Sequence, residues 1–162
     1  MIAKGGARLV NSNSIKHLKN LLLPLCNVVT PNIPEAEVLT GYSILNKADM
    51  IKAAKKIITM GAKNVLLKGG HLNTNMIFDI LVSKKEIRVF PKRKIKTLNT
   101  HGTGCTLSSA IATCLSQKIN ILESSKFSLR YVNHAILTAP NYGKGCGPLN
   151  HLVSFKLGKF NA

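Results

Sequence analysis

The sequence predicts an α/β layered fold, and three observations carry that expectation. Segments with apolar residues at helical spacing alternate with short apolar runs bounded by turn residues. One of those runs, residues 64–68, is apolar through Val65, Leu66 and Leu67, the pattern of a strand buried on both faces, as in a parallel sheet flanked by helices. Chemically loaded residues follow the ends of the predicted strands, where such folds place their sites.

The elements follow in order. Ser12 or Ser14 caps a first helix with Ile15, Leu18, Leu21 and Leu22 on one face, and Pro24 ends it. Residues 27–30 read as a buried strand stopped by Pro31, followed by a short helix over 35–39 with Gly41 at its end. From Lys47 to Met60, the residues Met50, Ala54, Ile57 and Ile58 recur at helical spacing, while Lys47, Lys52, Lys55 and Lys56 fall largely elsewhere, so this helix is amphipathic. Gly61 closes it, the 64–68 strand follows, and Gly69-Gly70 breaks that strand. Residues 76–82 and 86–90 form two strands joined across Ser83-Lys84-Lys85. Two helices follow, over 105–117 and 123–138, the second with a stripe of Phe127, Tyr131, Ala135 and Val132, Ile136. Residues 143–148 are irregular.

Composition narrows the function. With 162 residues and 45% apolar content the chain is expected to form one globular domain over 1–162. The apolar stretch at residues 21–26 is too short to span a bilayer, and residues 1–6 lack the look of a signal peptide, so a cytoplasmic protein without a membrane partner is expected. Cys26, Cys105, Cys114 and Cys146 form no C-x-x-C pair, which argues against structural zinc and a disulfide framework. The net charge of +17 suits a polyanion. However, the lysines are scattered, and the compact cluster Lys92-Arg93-Lys94 with Lys96 has little aromatic interleaving for stacking bases. A solvated basic surface is the expectation, and nucleic acid is not an expected partner.

The most informative stretch is Thr100-His101-Gly102-Thr103-Gly104-Cys105-Thr106, a small-residue turn running into an apolar helix. The first N–H groups of a helix lack internal partners and carry the positive end of its dipole, so glycines that admit an anion there make a phosphate cradle. Cys105 sits at its mouth, where the same N–H groups favour a thiolate that can act as base or nucleophile. Asn32 and Glu35 place a carbonyl oxygen and a carboxylate at a helix entrance, which suits a water-mediated Mg²⁺; Glu35 fits equally as a first-turn acid complementing the dipole. Lys68 is a charge ending an apolar strand, so it either reaches solvent or meets an anion. His71 and His101 read as loop histidines with local hydrogen bonds. Together these residues meet the needs of phosphoryl transfer: a metal-organising carboxylate, a cation, an N–H cradle and a base. There is no G-x-x-x-x-G-K-[ST] loop, so the anion hole would be the one opened by Gly102 and Gly104.

Five stretches in order, residues 1–6 (MIAKGG), 30–41 (TPNIPEAEVLTG), 67–71 (LKGGH), 100–106 (THGTGCT) and 147–151 (GPLNH), resemble the C-terminal part of a hydroxymethylpyrimidine/phosphomethylpyrimidine kinase of thiamine biosynthesis. That family belongs to the ribokinase-like superfamily. The resemblance implies a three-layer α/β/α fold truncated at the N-terminus, so that part of the central sheet, most of the pyrimidine pocket and its lid are absent. It implies ATP and Mg²⁺ as cofactors and a small pyrimidine as substrate. Asn32 and Glu35 would organise the metal, Lys68 would contact phosphate, Thr100, Gly102, Thr103 and Gly104 would belong to the nucleotide site, and Cys105 would be the general base, with Lys68 assisting catalysis. Most ribokinase-like enzymes have an aspartate at the Cys105 position; the cysteine is typical of the pyrimidine-kinase branch and some related pyridoxal kinases.

Three readings stand beside one another: a pyrimidine kinase fragment of weak or no activity alone, a pyridoxal-kinase-like enzyme, and a non-catalytic basic remnant that binds nucleic acid. A homo-oligomer or a complementing N-terminal chain is an expected partner arrangement.

Overall fold

A computed structural model describes residues 10–72 and 75–153. The motif at residues 1–6 lies outside the described residues. The chain forms two compact units, Met1–Lys94 and Ile95–Ala162.

In the first unit, helix α1 (Ser12–His17) is capped by Asn11, whose side chain accepts from the Ser14 amide at 2.8 Å. Neither Ser12 nor Ser14 is the cap, because both already lie inside the helix and Asn11 holds the extended backbone a cap needs. The chain then widens into a π-turn over Leu18–Leu22 and tightens into a 3₁₀ turn over Leu23–Leu25. The wider turn brings Leu23 inward, at 1% exposure, and leaves Leu21 and Leu22 at 64% and 53%. The apolar face expected from regular helical spacing is therefore displaced by one residue.

Residues 27–30 do not form the buried strand expected. The segment makes one isolated parallel bridge, Val29 with Val65, followed by a second from Asn32 to Lys68, and Val29 is only half-buried. Helix α2 (Ile33–Thr40) starts two residues earlier than expected and ends at Gly41. Helix α3 (Lys47–Thr59) matches its predicted bounds and is capped by Asn46.

Strands β1 (Asn64–Leu67), β2 (Met76–Ser83) and β3 (Ile87–Arg93) pair antiparallel in the order β1-β2-β3. The expected parallel pairing of β1 exists on one side, against Val29 and Asn32; its other neighbour is antiparallel. The connection from β1 to β2 is too short for the crossover that parallel strands require. Burial of β1 on both faces holds, with Val65, Leu66 and Leu67 all at 0% exposure. Val65, Leu67, Ile80 and Val82 share one face and pack with Met50, Ala53, Ala54 and Ile57 of α3 and with Ala36 and Leu39 of α2. Strand β3 carries Pro91 and basic residues, as suits a strand at a sheet edge.

The second unit holds α4 (Thr103–Ser116) and α5 (Ile121–Leu137). Asn120 caps α5 by accepting from the Glu123 amide at 3.0 Å. The most buried residues of α5 are Ser124, Ser125, Ser128, Leu129, Val132 and Ala135, whereas Phe127, Tyr131 and Ile136 of the expected stripe are only half-buried. The small serines allow α4 and α5 to approach closely, and those of Ser124 and Ser125 turn their hydroxyls onto the carbonyls of Ile119 and Ile121 at 3.2 and 2.7 Å.

Candidate functional site

The site residues of the first unit gather at the end of β1. The bridge between Asn32 and Lys68, held by the Lys68 amide donating to the Pro31 carbonyl at 2.9 Å, sets the start of α2 beside the end of the strand. Asn32 and Glu35 form a reciprocal capping box. The Glu35 amide donates to Asn32 Oδ1 at 2.8 Å, and the Asn32 amide donates to Glu35 Oε2 at 2.9 Å. The first-turn role of Glu35 is thus realised, and it engages the same two side chains expected at a metal.

That pair offers hard oxygens at a helix entrance, already held in place by the backbone. Among the described residues no cluster of three or more His, Cys, Asp or Glu stands ready to enclose a metal. The donor set fits an ion that keeps most of its own water, as Mg²⁺ does, and does not form a closed protein cage.

His71 is part of this group as well. Partial desolvation and the Lys68 ammonium lower its pKa, with Glu35 pulling it back up and Lys94 lowering it further. Its reading as a plain loop histidine did not include this electrostatic coupling to Lys68 and Glu35, which no local stretch of sequence shows.

Sequence reasoning also missed Asp79. This carboxylate on β2 is buried, at 2% exposure; its Oδ1 accepts the Gly69 amide at 2.9 Å and its Oδ2 lies 2.7 Å from Lys92 Nζ. A charge inside the otherwise apolar run 76–82 is the same kind of signal that singled out Lys68.

In the second unit, Gly102 is the residue that turns the chain into α4, with φ at 82° and a left-handed conformation that other residues adopt only under strain. The first helical bond of α4 runs from the Thr106 amide to the Gly102 carbonyl at 2.9 Å, so the amides of Thr103, Gly104 and Cys105 precede it. No side chain caps this helix. The Thr103 hydroxyl instead donates back to the Thr100 carbonyl at 3.1 Å, and Cys105 is exposed.

The 147–151 motif packs beside this turn. His101 forms a parallel bridge with Pro148, through its amide and the Gly147 carbonyl at 3.1 Å, so its backbone rather than its ring does the local bonding. His151 Nε2 lies 3.0 Å from the Thr106 hydroxyl, and the Tyr131 hydroxyl donates to the His151 carbonyl at 3.0 Å. Cys105, Thr106, Ser109, Phe127, Tyr131 and His151 line an open cleft of about 560 Å³, within the range of small-molecule sites. Cys114 also borders it; burial pushes its thiol up, with the Ser128 hydroxyl working in the opposite direction.

An α/β fold with a glycine-opened helix entrance is compatible with the class of ribokinase-like small-molecule kinases. The solved structures agree. A phosphomethylpyrimidine kinase from Clostridium difficile superposes with a TM-score of 0.72 at 40% identity, covering 84% of this chain and 54% of that one. An ADP complex of Bacillus subtilis pyridoxal kinase gives a TM-score of 0.83 at 32% identity, covering 88% of this chain and 56% of that one. More particularly, the chain belongs to the phosphomethylpyrimidine kinase family, whose model matches residues 1–150. A thiamine biosynthesis bifunctional protein, ThiED, of Geobacter sulfurreducens is 46% identical over 95% of this chain and 31% of its own length. The hydroxymethylpyrimidine/phosphomethylpyrimidine kinase of Bacillus subtilis is 39% identical over 99% of this chain and 59% of its own length. The chain thus spans less than two thirds of these relatives.

Proposed function

We propose that this chain carries the phosphate-handling part of an ATP-dependent kinase that phosphorylates hydroxymethylpyrimidine and its monophosphate in thiamine synthesis. The observation that carries the reading is the α4 entrance, where three amides ahead of the first helical bond share one turn with an exposed cysteine. The family match and the relatives' names support the reaction class.

In this reading Cys105 Sγ takes the proton of the substrate's hydroxymethyl group as that oxygen attacks the γ-phosphorus. The bond from the γ-phosphorus to the bridging oxygen breaks, and ADP leaves. The amides of Thr103, Gly104 and Cys105 stabilise the negative charge that develops, with Thr100 and Gly102 shaping the turn that presents them. Lys68 supplies a cation to the phosphates. Asn32 and Glu35 would hold Mg²⁺ through its water, and the ion would neutralise phosphate oxygens.

Pyridoxal kinase is the second reading, favoured by the high superposition with a pyridoxal kinase. Sequence identity supports the first reading, since the solved pyrimidine kinase reaches 40% and the pyridoxal kinase 32%. Low turnover by residues 1–162 alone belongs to the proposal, since they span less than two thirds of the relatives.

The test is phosphate transfer from MgATP to hydroxymethylpyrimidine and to pyridoxal, with the chain alone and with the remaining portion of a relative added in trans. Transfer to the pyrimidine that depends on the added portion is expected. Ordinary kinase turnover by the chain alone would remove the low-activity claim, and a preference for pyridoxal would favour the second reading. Cys105→Ala should abolish transfer while leaving stability within about 0.5 kcal/mol, as expected of an exposed side chain.

A further inference from the structure

We propose that Asp79 is a positioning residue for phosphate binding, acting through the turn that follows Lys68. The inference rests on the reading of Lys68 as a phosphate contact. Three observations point to the role. Asp79 is buried, and it spends one carboxylate oxygen on the backbone amide of Gly69, the residue next to Lys68, at 2.9 Å. The other oxygen meets Lys92 Nζ of the edge strand at 2.7 Å, a contact of charge without a well-directed hydrogen bond. Finally, Gly69 is pressed onto β2 so closely that a Cβ there would clash with the Phe78 carbonyl oxygen. A side chain at this position would push the turn off the strand.

The geometry explains why a charge belongs in an apolar strand. The register pairs Leu67 with Ile80, so Asp79 is the next residue of β2, level with the point where β1 ends. Backbone pairing between β1 and β2 stops there, and the Gly69 amide needs another acceptor. A buried carboxylate supplies one and is stronger than a neutral acceptor. Lys92, on the neighbouring strand, offsets the cost of burying the charge. The result is a cross-strand clamp on the residue after Lys68. Phosphate binding by a lysine on a long flexible stem depends on where its backbone is held, so freeing the turn should weaken phosphate contacts in particular.

The experiment compares the intact chain with Asp79→Ala, Asp79→Asn, Lys92→Met and Lys68→Met. It measures affinity for MgATP and for AMP together with amide exchange at Gly69 and in α3. Asp79→Ala is expected to speed Gly69 exchange at least tenfold, leave α3 exchange unchanged, and weaken MgATP about tenfold with AMP little altered. Asp79→Asn keeps a neutral, weaker acceptor for the Gly69 amide and should lose less than Asp79→Ala on every measure. Lys92→Met should fall between the two and serves where Asp79→Ala fails to fold. A variant that weakens MgATP and AMP equally, or frees Gly69 without touching MgATP affinity, would overturn the proposal. If Lys68→Met binds MgATP as the intact chain does, the assignment of Lys68 fails instead.

Discussion

Glu35→Gln separates the capping role of this side chain from the metal role proposed for it. In the structure Glu35 Oε2 accepts the Asn32 amide at 2.9 Å while the Glu35 amide donates to Asn32 Oδ1 at 2.8 Å. Glutamine retains an oxygen for the Asn32 amide, so the reciprocal box survives; capping boxes accept either residue at this position. What disappears is a negative charge in the first turn of α2. That charge contributes about 0.3–1 kcal/mol against the helix dipole. Asn32→Ala is the companion perturbation, because it removes the cap acceptor and should cost about 0.5–2 kcal/mol. The assay is urea unfolding beside a Mg²⁺ titration of ATP binding. The expected pattern is a small stability loss for Glu35→Gln with a clear rise in the Mg²⁺ concentration required, since an amide is a much poorer partner than a carboxylate for the ion and its water. The reasoning fails if Glu35→Gln destabilises by more than Asn32→Ala does, or if its Mg²⁺ requirement equals that of the unaltered chain.

Two further predictions concern the turns. Gly102→Ala should cost about 1–2 kcal/mol through its left-handed backbone alone, because its Cβ would meet nothing within 4 Å. Calorimetric melting would detect this, and a cost near zero would show that the turn relaxes to another conformation. For His71, the folded pKa is lowered, so between the folded and unfolded values the unfolded chain binds more protons and stability rises with pH. Its contribution is present above the ordinary value near 6.5 and is lost as pH falls from there through the lowered folded value. His71→Gln should flatten that part of the pH dependence in urea midpoints measured at steps below neutrality; an unchanged slope would remove the desolvation of His71 as its cause.

Much of the fold could be read before any coordinates because it depends on local rules. The amphipathic spacing of Met50, Ala54 and Ile57 gave α3, the unbroken apolar run gave a doubly buried β1, and the polar Ser83-Lys84-Lys85 turn gave the β2 to β3 hairpin. The candidate site was equally local at Asn32 and Glu35 and at the 100–106 turn, where the residues proposed for chemistry lie at a helix entrance. Misreadings arose where local rules compete. The π-turn after α1 moved the buried position from Leu22 to Leu23, and the close approach of α4 and α5 favoured small serines over the aromatic stripe.

What sequence alone determined, then, is which residues could do chemistry and which backbone elements present them, since capping, periodicity and glycine freedom act over a few residues. What tertiary structure decided is company. The proximity of Lys68 to Asn32, the electrostatic grouping of His71 with Lys68 and Glu35, and the clamp from Asp79 to Gly69 all depend on strand register. Register is fixed by how whole faces bury against one another, and no short window of sequence contains that information.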